Sequence, residues 1–220
     1  MNNTQPLESV SVIFIHEQQI FAVQRQPYLH AFPGYHAFPG GKIDNDESST
    51  PFETEFLCEH NTLRMRALRR EIIEELGYDL EEGINKGEVL SVNELAEALA
   101  PPFAPVRFRT WFYRVDLSKR VKFDVDSGEF ADSFWKTSAE LLETFRTGKS
   151  LMVPPTRWVL EGLQKKPQAT AFGDLSQNFA EDDRVPCLEM IEGVPQLAVR
   201  SATLRSEEHT SELQSHLNLV

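Results

Sequence analysis

Three glutamates have the spacing of one helix face. Glu71, Glu74 and Glu75 stand three and four residues apart, so a helix would project their carboxylates from one side. Like charges arranged in this way cost a helix about 0.2–0.5 kcal/mol per pair. A hard divalent cation such as Mg²⁺ or Mn²⁺, which binds carboxylate oxygens, would offset that repulsion. The spacing alone leaves two interpretations open, a metal site or an acidic helix face in solvent.

The helix that would carry these glutamates is predicted over residues 63–76. Thr62 is the predicted N-cap, and Gly77 is the predicted left-handed C-terminal cap. Arginines crowd the start of this helix and glutamates crowd its end, against the preference of the helix dipole. This inverted charge order is a further indication that the acidic turn is functional.

A glycine turn precedes the helix, and the two together resemble a known family. Gly40-Gly41 follows an apolar segment, and Glu47 follows Gly41 after five residues. The combination resembles the Nudix box, G-x5-E-x7-R-E-U-x-E-E-x-G-U, in which U is a bulky apolar residue. The fixed positions are filled by Gly41, Glu47, Arg70, Glu71, Glu74, Glu75 and Gly77, and the U positions by Ile72 and Tyr78. However, 22 residues separate Glu47 from Arg70, where the common pattern has about 7. The chain thus resembles the Nudix subfamily with an insertion inside the box, which includes a coenzyme A diphosphatase.

The resemblance implies both a fold and a chemistry. The implied fold is an α+β protein, an α/β/α sandwich with a mixed central sheet. The implied activity is divalent-metal-dependent hydrolysis of a pyrophosphate, with Mg²⁺ or Mn²⁺ as cofactor. The implied metal ligands are Glu71, Glu74, Glu75 and the Gly41 carbonyl. The spacing no longer fixes the register of Glu47 to the helix, so its role stays open.

The catalytic base has two candidates. One is Glu71, which Arg70 would orient through charge-assisted hydrogen bonds. The other is Glu129, because an acidic residue several positions before a tryptophan and a Ser/Thr-capped helix is common in Nudix domains. The rivals of Glu129 for this role are Asp124, Asp126 and Asp132.

Candidate substrate-binding residues lie on both sides of the glycine turn. Residues 27–36, here called the aromatic loop, include Tyr28, Phe32 and Tyr35, which could stack on a base or pack on the sheet. His30 and His36 of this loop could act as acid–base groups, although a single loop histidine more often does not. Arg25 precedes the loop and is a candidate contact for the substrate. Arg107 could hold a phosphate through its planar guanidinium, or it could be an exposed charge at a strand edge.

The substrate class follows from the resemblance rather than from the residues. Coenzyme A or acyl-coenzyme A is the subfamily's suggestion, and ADP-ribose, NADH, nucleotide sugars and dinucleoside polyphosphates remain open. A second hypothesis is a non-catalytic nucleotide-sensing module that regulates a fused hydrolase domain. The complete set of glutamates argues against a module that only binds.

Composition restricts the classes of partner. The 220 residues carry a net charge of −12, which argues against a surface that coats nucleic acid. Cys58 and Cys187 form no disulfide framework and no zinc-binding spacing. No signal pattern or membrane-length apolar run occurs. We expect a cytoplasmic protein with a small-molecule partner, and a homodimer is left open.

The remaining elements follow from local patterns. Strands are predicted at 9–15, 20–24, 89–91 and 106–117, and helices at 93–99, 139–146 and 156–164. Ser138 is the predicted N-cap of the helix at 139–146. A short helix opened by Pro51 is predicted in the insertion, residues 48–61.

The chain is predicted to divide into four parts. Residues 1–166 form the Nudix domain, and the polar segment 167–184 is a linker. Residues 185–204 weakly resemble the opening strands of a metallo-β-lactamase-fold domain, which is found fused to Nudix domains of this subfamily. Residues 205–220 resemble a translated sequencing adapter and are expected to be an artefact, which would leave the second domain as a truncated C-terminal fragment.

Overall fold

The computed structural model describes residues 5–44, 57, 60–101 and 107–178, and the backbone of two strands at 184–191 and 194–201. The chain divides into two compact units, Met1–Gln177 and Asn178–Val220. All the candidate site residues belong to the first unit, and all of them except Glu47 are among the described residues. None of the described helices is both long and apolar enough to cross a bilayer.

A mixed sheet forms the centre of the first unit. Its seven strands are β1 (Leu7–His16), β2 (Gln19–Arg25), β3 (His36–Ala37), β4 (Val89–Leu99), β5 (Phe108–Leu117), β6 (Phe130–Thr137) and β7 (Gly173–Asp174). β1 runs parallel to β5 and antiparallel to β2. β4 lies beyond β5 in the sheet, and β6 pairs antiparallel with β2 along its length.

Helices cover both faces of this sheet. They are α1 (Thr62–Leu76), α2 (Leu80–Asn85), α3 (Ser138–Arg146) and α4 (Pro154–Lys165). Consecutive residues of β1 point to opposite faces, and both faces are buried: Phe14 lies in the cluster with α1, and Ile13 in the cluster with α3 and α4. The predicted α+β class, an α/β/α sandwich with a mixed sheet, is confirmed.

α1 buries one apolar stripe against the sheet and carries the glutamates in its last two turns. Leu68, Ile72 and Leu76 have no exposed surface and pack on the sheet. The N-cap is Asn61 rather than the predicted Thr62, because the Asn61 side chain accepts the Arg64 N–H at 3.1 Å. Gly77 ends the helix in the left-handed region with φ 60°, as predicted.

The predicted helix at 93–99 is wrong, because this segment is the second half of strand β4. The pairing of β4 with β5 shifts register between Glu94 and Ala96, which is a β-bulge. At the bulge both Leu95 and Ala96 are buried, so the two-residue alternation of a strand is broken. The resulting apolar spacing resembles that of an amphipathic helix.

The other elements differ from the predictions mainly at their ends. α3 is capped by Thr137 instead of Ser138, with a reciprocal capping box to Glu140. α4 begins two residues earlier than predicted, with Pro154 and Pro155 in its first turn. β5 is described from Phe108 onwards. The helix predicted from Pro51 falls almost wholly outside the described residues.

The segment after α4, predicted as a linker, is bound to the sheet over its first part. Within it, β7 pairs in parallel with β4, and the Phe172 N–H donates to the Leu95 carbonyl at 2.5 Å. In the second unit, β8 (Arg184–Ile191) and β9 (Val194–Ser201) form an antiparallel pair. Residues 202–220, which include the predicted artefact, lie outside the described residues.

Candidate active site

Glu75 of α1 reaches the glycine turn that follows β3. Its Oε2 accepts the Gly40 N–H at 2.7 Å, and only 5% of the residue is exposed. Gly40 has φ 140°, and a Cβ there would collide with the Val10 carbonyl. Only glycine fits such a position, so the turn can approach β1 this closely.

Glu71 lies against the next glycine of the turn. A Cβ on Gly41 would overlap the Glu71 carboxyl group, so this carboxylate fills the space that a side chain would take. The Gly41 carbonyl accepts the Val10 N–H at 2.9 Å, which fixes the turn to β1. A carbonyl oxygen has two lone pairs, so one remains for the predicted role as a metal ligand.

Arg70 joins the helix to the same turn. Its Nη1 donates to Glu71 Oε1 at 2.8 Å and to Glu74 Oε2 at 3.0 Å, and its Nη2 donates to the Lys42 carbonyl at 2.9 Å. These charge-assisted bonds orient the Glu71 carboxylate. They also draw the Glu74 side chain, which is 59% exposed, toward Arg70.

Glu129 comes from a distant part of the sequence, and we call Glu71, Glu75 and Glu129 the carboxylate cluster. Glu129 stands directly before β6, and its Oε2 lies 3.8 Å from Arg25 Nη1. Its charge raises the pKa of both Glu71 and Glu75. The fold therefore brings Glu71, Glu75 and Glu129 within electrostatic range, although Glu75 and Glu129 stand 54 positions apart in the sequence.

Burial and mutual repulsion disfavour the charged forms of Glu71 and Glu75. Burial raises the pKa of Glu75 to about 9, opposed by the Gly40 N–H and assisted by Glu71 and Glu129. Burial also raises the pKa of Glu71, opposed by Arg70. A divalent cation would supply the positive charge that such a cluster lacks. The donor set, hard oxygens on a rigid helix, fits Mg²⁺ or Mn²⁺.

The glutamates nevertheless point to different partners. Across the described residues, no three Asp, Glu, His or Cys side chains are gathered closely enough to hold a metal ion as they stand. Glu71 and Glu74 are turned to Arg70, whereas Glu75 is turned to Gly40. For Glu74 to take part in a metal site, its side chain would have to rotate away from Arg70.

The rivals of Glu129 have other contacts. The Asp124 N–H donates to the Leu76 carbonyl at 2.9 Å, and the Asp126 N–H donates to the Glu75 carbonyl at 2.8 Å. The backbone of this segment thus completes the end of α1. Asp132 accepts its neighbour's backbone N–H at Oδ1. Among these residues, only the carboxylate of Glu129 influences both Glu71 and Glu75.

The aromatic loop lies beside Arg25. The Arg25 N–H donates to the Tyr35 carbonyl at 2.9 Å, and Arg25 Nε donates to the Ala31 carbonyl at 3.1 Å. The rings of Phe32 and Tyr35 are 5.6 Å apart. Tyr28 is 66% exposed. Arg25 therefore connects the backbone of the loop to Glu129.

Two other predicted residues lie away from this cluster. Arg107 stands before β5, where its Nε donates to the Ala100 carbonyl at 2.8 Å, and its described contacts do not include the glutamates. His36 is buried against Phe134, with its pKa lowered to about 4 by burial and by Lys136. Its side chain belongs to the sheet face covered by α3 and α4.

Gln26 was missed by the sequence reasoning, although it contacts the segment that carries Glu129. Its side-chain Nε2 donates to the Ser127 carbonyl at 2.8 Å. Nothing in the local sequence signals this contact, because the partner is 101 residues away. The contact could have been predicted only from knowledge that β2 pairs with β6.

Comparison with solved structures places the fold. A Nudix hydrolase from Alicyclobacillus acidocaldarius is similar with a TM-score of 0.61 and 20% identity, over 75% of this chain and 94% of that one. The Nudix domain of Shewanella oneidensis NrtR, solved with ADP-ribose, is similar with a TM-score of 0.51 and 16% identity, over 75% and 90%. A bifunctional NMN adenylyltransferase/ADP-ribose pyrophosphatase from Francisella tularensis, solved with AMP and a Mn ion, gives 0.51 and 16%, over 76% of this chain and 43% of that one. No family sequence model and no curated protein matches the chain. The first unit therefore has the fold of Nudix hydrolases.

Proposed function

We propose that the protein is a divalent-metal-dependent pyrophosphohydrolase that cleaves a nucleoside diphosphate linked to another moiety. The observation that carries this proposal is the packing of the buried Glu75 and the part-buried Glu71 against the Gly40-Gly41 turn. Carboxylates whose pKa values are raised by burial and by one another mark a functional-site candidate. Mg²⁺ or Mn²⁺ is the cofactor that this donor set suits.

Each residue of the cluster has a proposed role. Glu71, Glu75 and the Gly41 carbonyl hold the metal, and Glu74 joins them by leaving Arg70. When bound, divalent cations neutralise the phosphates and lower the pKa of a coordinated water. Arg70, which is itself bonded to the Lys42 carbonyl, keeps Glu71 oriented.

Proton transfer from the attacking water has two proposed acceptors, Glu71 and Glu129. Glu129 lies 3.8 Å from Arg25, and its charge also acts on Glu71 and Glu75. Arg25 can also contact a phosphate of the substrate through its guanidinium. The choice between the two acceptors depends on which of them keeps a free oxygen when the metal is bound.

The aromatic loop is the proposed binding site for the base. Phe32 and Tyr35 form an adjacent pair of rings, and Phe32 is 43% exposed. Stacking of a base on an aromatic ring is worth about 1–3 kcal/mol. Coenzyme A, acyl-coenzyme A, ADP-ribose, NADH and nucleotide sugars all combine an adenine or another base with a diphosphate. Arg107 remains a proposed phosphate contact only for the distal part of a long substrate.

A panel assay tests this function. The purified chain is incubated with each of these substrates and with dinucleoside polyphosphates, with Mg²⁺, with Mn²⁺ and with excess EDTA. We expect metal-dependent release of a nucleoside monophosphate and a phosphorylated second product. Glu75→Gln is the inactive control, and Glu143→Gln on the exposed side of α3 is the matched substitution that should stay active. Binding of a nucleotide without turnover under every metal condition would contradict the proposal and favour a sensing module.

A further inference from the structure

A single residue binds three carbonyl groups of the turn that presents Glu129. We call residues 126–130 the acid turn. The Gln26 N–H donates to the Glu129 carbonyl at 2.8 Å. The Gln26 Nε2 donates to the carbonyls of Ser127 at 2.8 Å and Phe130 at 3.2 Å. Gln26 therefore holds the acid turn from the side of β2.

The opposite side of the acid turn is held by Asp126. Its N–H donates to the Glu75 carbonyl at 2.8 Å, and its carbonyl accepts the Phe130 N–H at 3.0 Å. Its Oδ1 accepts the Gly128 N–H at 2.9 Å. The acid turn is thus clamped between the end of α1 and Gln26, and both clamps act on its backbone.

The Glu129 side chain has weaker support of its own. Its distance of 3.8 Å from Arg25 Nη1 exceeds a hydrogen bond, and the side chain is 44% exposed. The position of the carboxylate is therefore set mainly by the backbone of the acid turn. A misplacement of about 1 Å at a catalytic group can cost about 100-fold in rate.

We propose that Gln26 is a positioning residue for Glu129, which rests on the role of Glu129 in the proposed function. The donors of Gln26 fix the three carbonyls, and the carbonyls fix the point from which Glu129 reaches the cluster. The Tyr28 hydroxyl adds one bond from the aromatic loop to the same turn, 2.8 Å to the Gly128 carbonyl. The loop proposed to bind the base and the turn that carries Glu129 are thereby joined.

Gln26→Glu tests the proposal with almost no change of shape. It replaces the Nε2 donor by a carboxylate oxygen, which two carbonyl oxygens would repel. We expect kcat to fall about 10- to 100-fold while KM changes less than about twofold. Gln164→Glu, the same substitution on an exposed position of α4, should leave both constants unchanged. A Gln26→Glu enzyme with the kcat of the wild type would overturn the proposal.

A double-mutant cycle separates positioning from general structural damage. In a Glu129→Gln background, Gln26→Glu should cost less than about twofold, because its effect passes through the lost carboxylate. Equal losses in both backgrounds would show that Gln26 acts elsewhere. Tyr28→Phe, which removes one bond from the turn, should give a smaller loss in kcat than Gln26→Glu.

Hydrogen exchange gives a measurement that does not need turnover. The amides of Gly128 and Glu129 are bonded within the acid turn and should exchange faster in Gln26→Glu, whereas the amides of α1 should not change. If no substrate of the panel is cleaved, faster exchange at these two amides still supports the clamp, and the proposed function alone has failed. Unchanged exchange would overturn the clamp whatever the activity.

Discussion

Two buried ionisable residues lie on opposite sides of the same sheet, and the structure stabilises their charged forms to different degrees. Arg114 of β5 is 4% exposed, and Glu75 of α1 is 5% exposed. Tyr113 and Val115 point toward α1, so Arg114 between them points toward α3 and α4. Equal burial thus permits a direct comparison of how each charge is satisfied.

The guanidinium of Arg114 is fully engaged. Its Nε and Nη2 donate to the Asp116 carboxylate, with the shortest bond at 2.7 Å. Its Nη1 donates to the carbonyls of Pro167 at 2.7 Å and Ala169 at 2.8 Å. Asp116 accepts a further bond from the Ser91 hydroxyl at 2.9 Å. This network ties the end of α4 to the sheet and leaves no requirement for an external ligand.

The carboxylate of Glu75 has the opposite character. Its hydrogen-bond donor is the Gly40 N–H, and its charged neighbours Glu71 and Glu129 raise its pKa. A protein that only needed stability at this position would gain nothing from such a group. The comparison teaches that burial alone does not distinguish the two residues: Arg114 has a hydrogen-bonded carboxylate partner, whereas the cation that acts on Glu75, Arg25, does not offset its burial. This difference makes Glu75 the candidate for a functional role.

The largest expected effect is the loss of the Arg114 network. Arg114→Met keeps the aliphatic part of the side chain but leaves the part-buried Asp116 carboxylate with only the Ser91 hydroxyl, and leaves two carbonyls without their Arg114 donor. Breaking a fully buried ion pair costs about 3–5 kcal/mol, and the partial exposure of Asp116 places the expected loss at the lower end, about 3 kcal/mol. Urea unfolding should show this loss of unfolding free energy, with Arg146→Met on the exposed end of α3 as the control. A loss under about 1 kcal/mol would show that the network contributes little.

Glu75→Gln should separate activity from stability. The pKa of about 9 means that the metal-free protein holds Glu75 mainly protonated at pH 7, and a neutral amide replaces a neutral acid. We therefore expect the unfolding free energy in EDTA to change by less than about 1 kcal/mol. Hydrolysis should fall at least about 100-fold, since a ligand matters at least as much as its supporting shell. A strong destabilisation with activity retained would show that Glu75, like Arg114, serves stability rather than function.

Gly41→Ala tests whether the space beside Glu71 is needed. The added Cβ would collide with the Glu71 carboxyl group, which would then rotate away from the turn. We expect a loss of about 10- to 100-fold in kcat with a small change in melting temperature. In a Glu71→Ala background the same substitution should have almost no further effect. Additive losses would show that Gly41 acts through the backbone.

The sequence predicts the surroundings of Glu75 far better than the hydrogen-bond network of Arg114. Glu71, Glu75 and Gly77 belong to one helix, so their relative placement follows from local spacing. The closeness of the Gly40-Gly41 turn to the glutamates follows from the resemblance of the two pieces together to the Nudix box, whereas the hydrogen bond from Gly40 to Glu75 is seen only in the structure. Nothing local indicates that Arg114 binds Pro167, because 53 residues separate them and the pairing depends on the tertiary fold.

The errors have physical causes of the same kind. A bulge at Leu95 gave β4 the apolar spacing of a helix. Gln26 was overlooked because its partners are brought to it only by the pairing of β2 with β6. Long-range pairing decides these positions, and a single sequence does not encode it in local periodicity.

The smallest expected effect concerns His36, a buried group on the same face as Arg114 but without its network. His36 Nδ1 is buried and lacks a hydrogen-bond partner within the described residues, and Lys136 lies close enough to oppose protonation. Because its pKa is lowered from 6.5 to about 4, the folded protein binds this proton less well than the unfolded chain. The contribution of His36 to stability is therefore complete above about pH 6.5 and is lost as the pH falls from 6.5 toward 4. His36→Gln removes this titration, so between pH 7 and pH 5 the wild type should lose more unfolding free energy than the variant. If the unfolding free energies of the two proteins changed equally with pH, burial would not hinder protonation of the His36 ring. The lack of hydrogen-bond partners would then not distinguish His36 from Arg114.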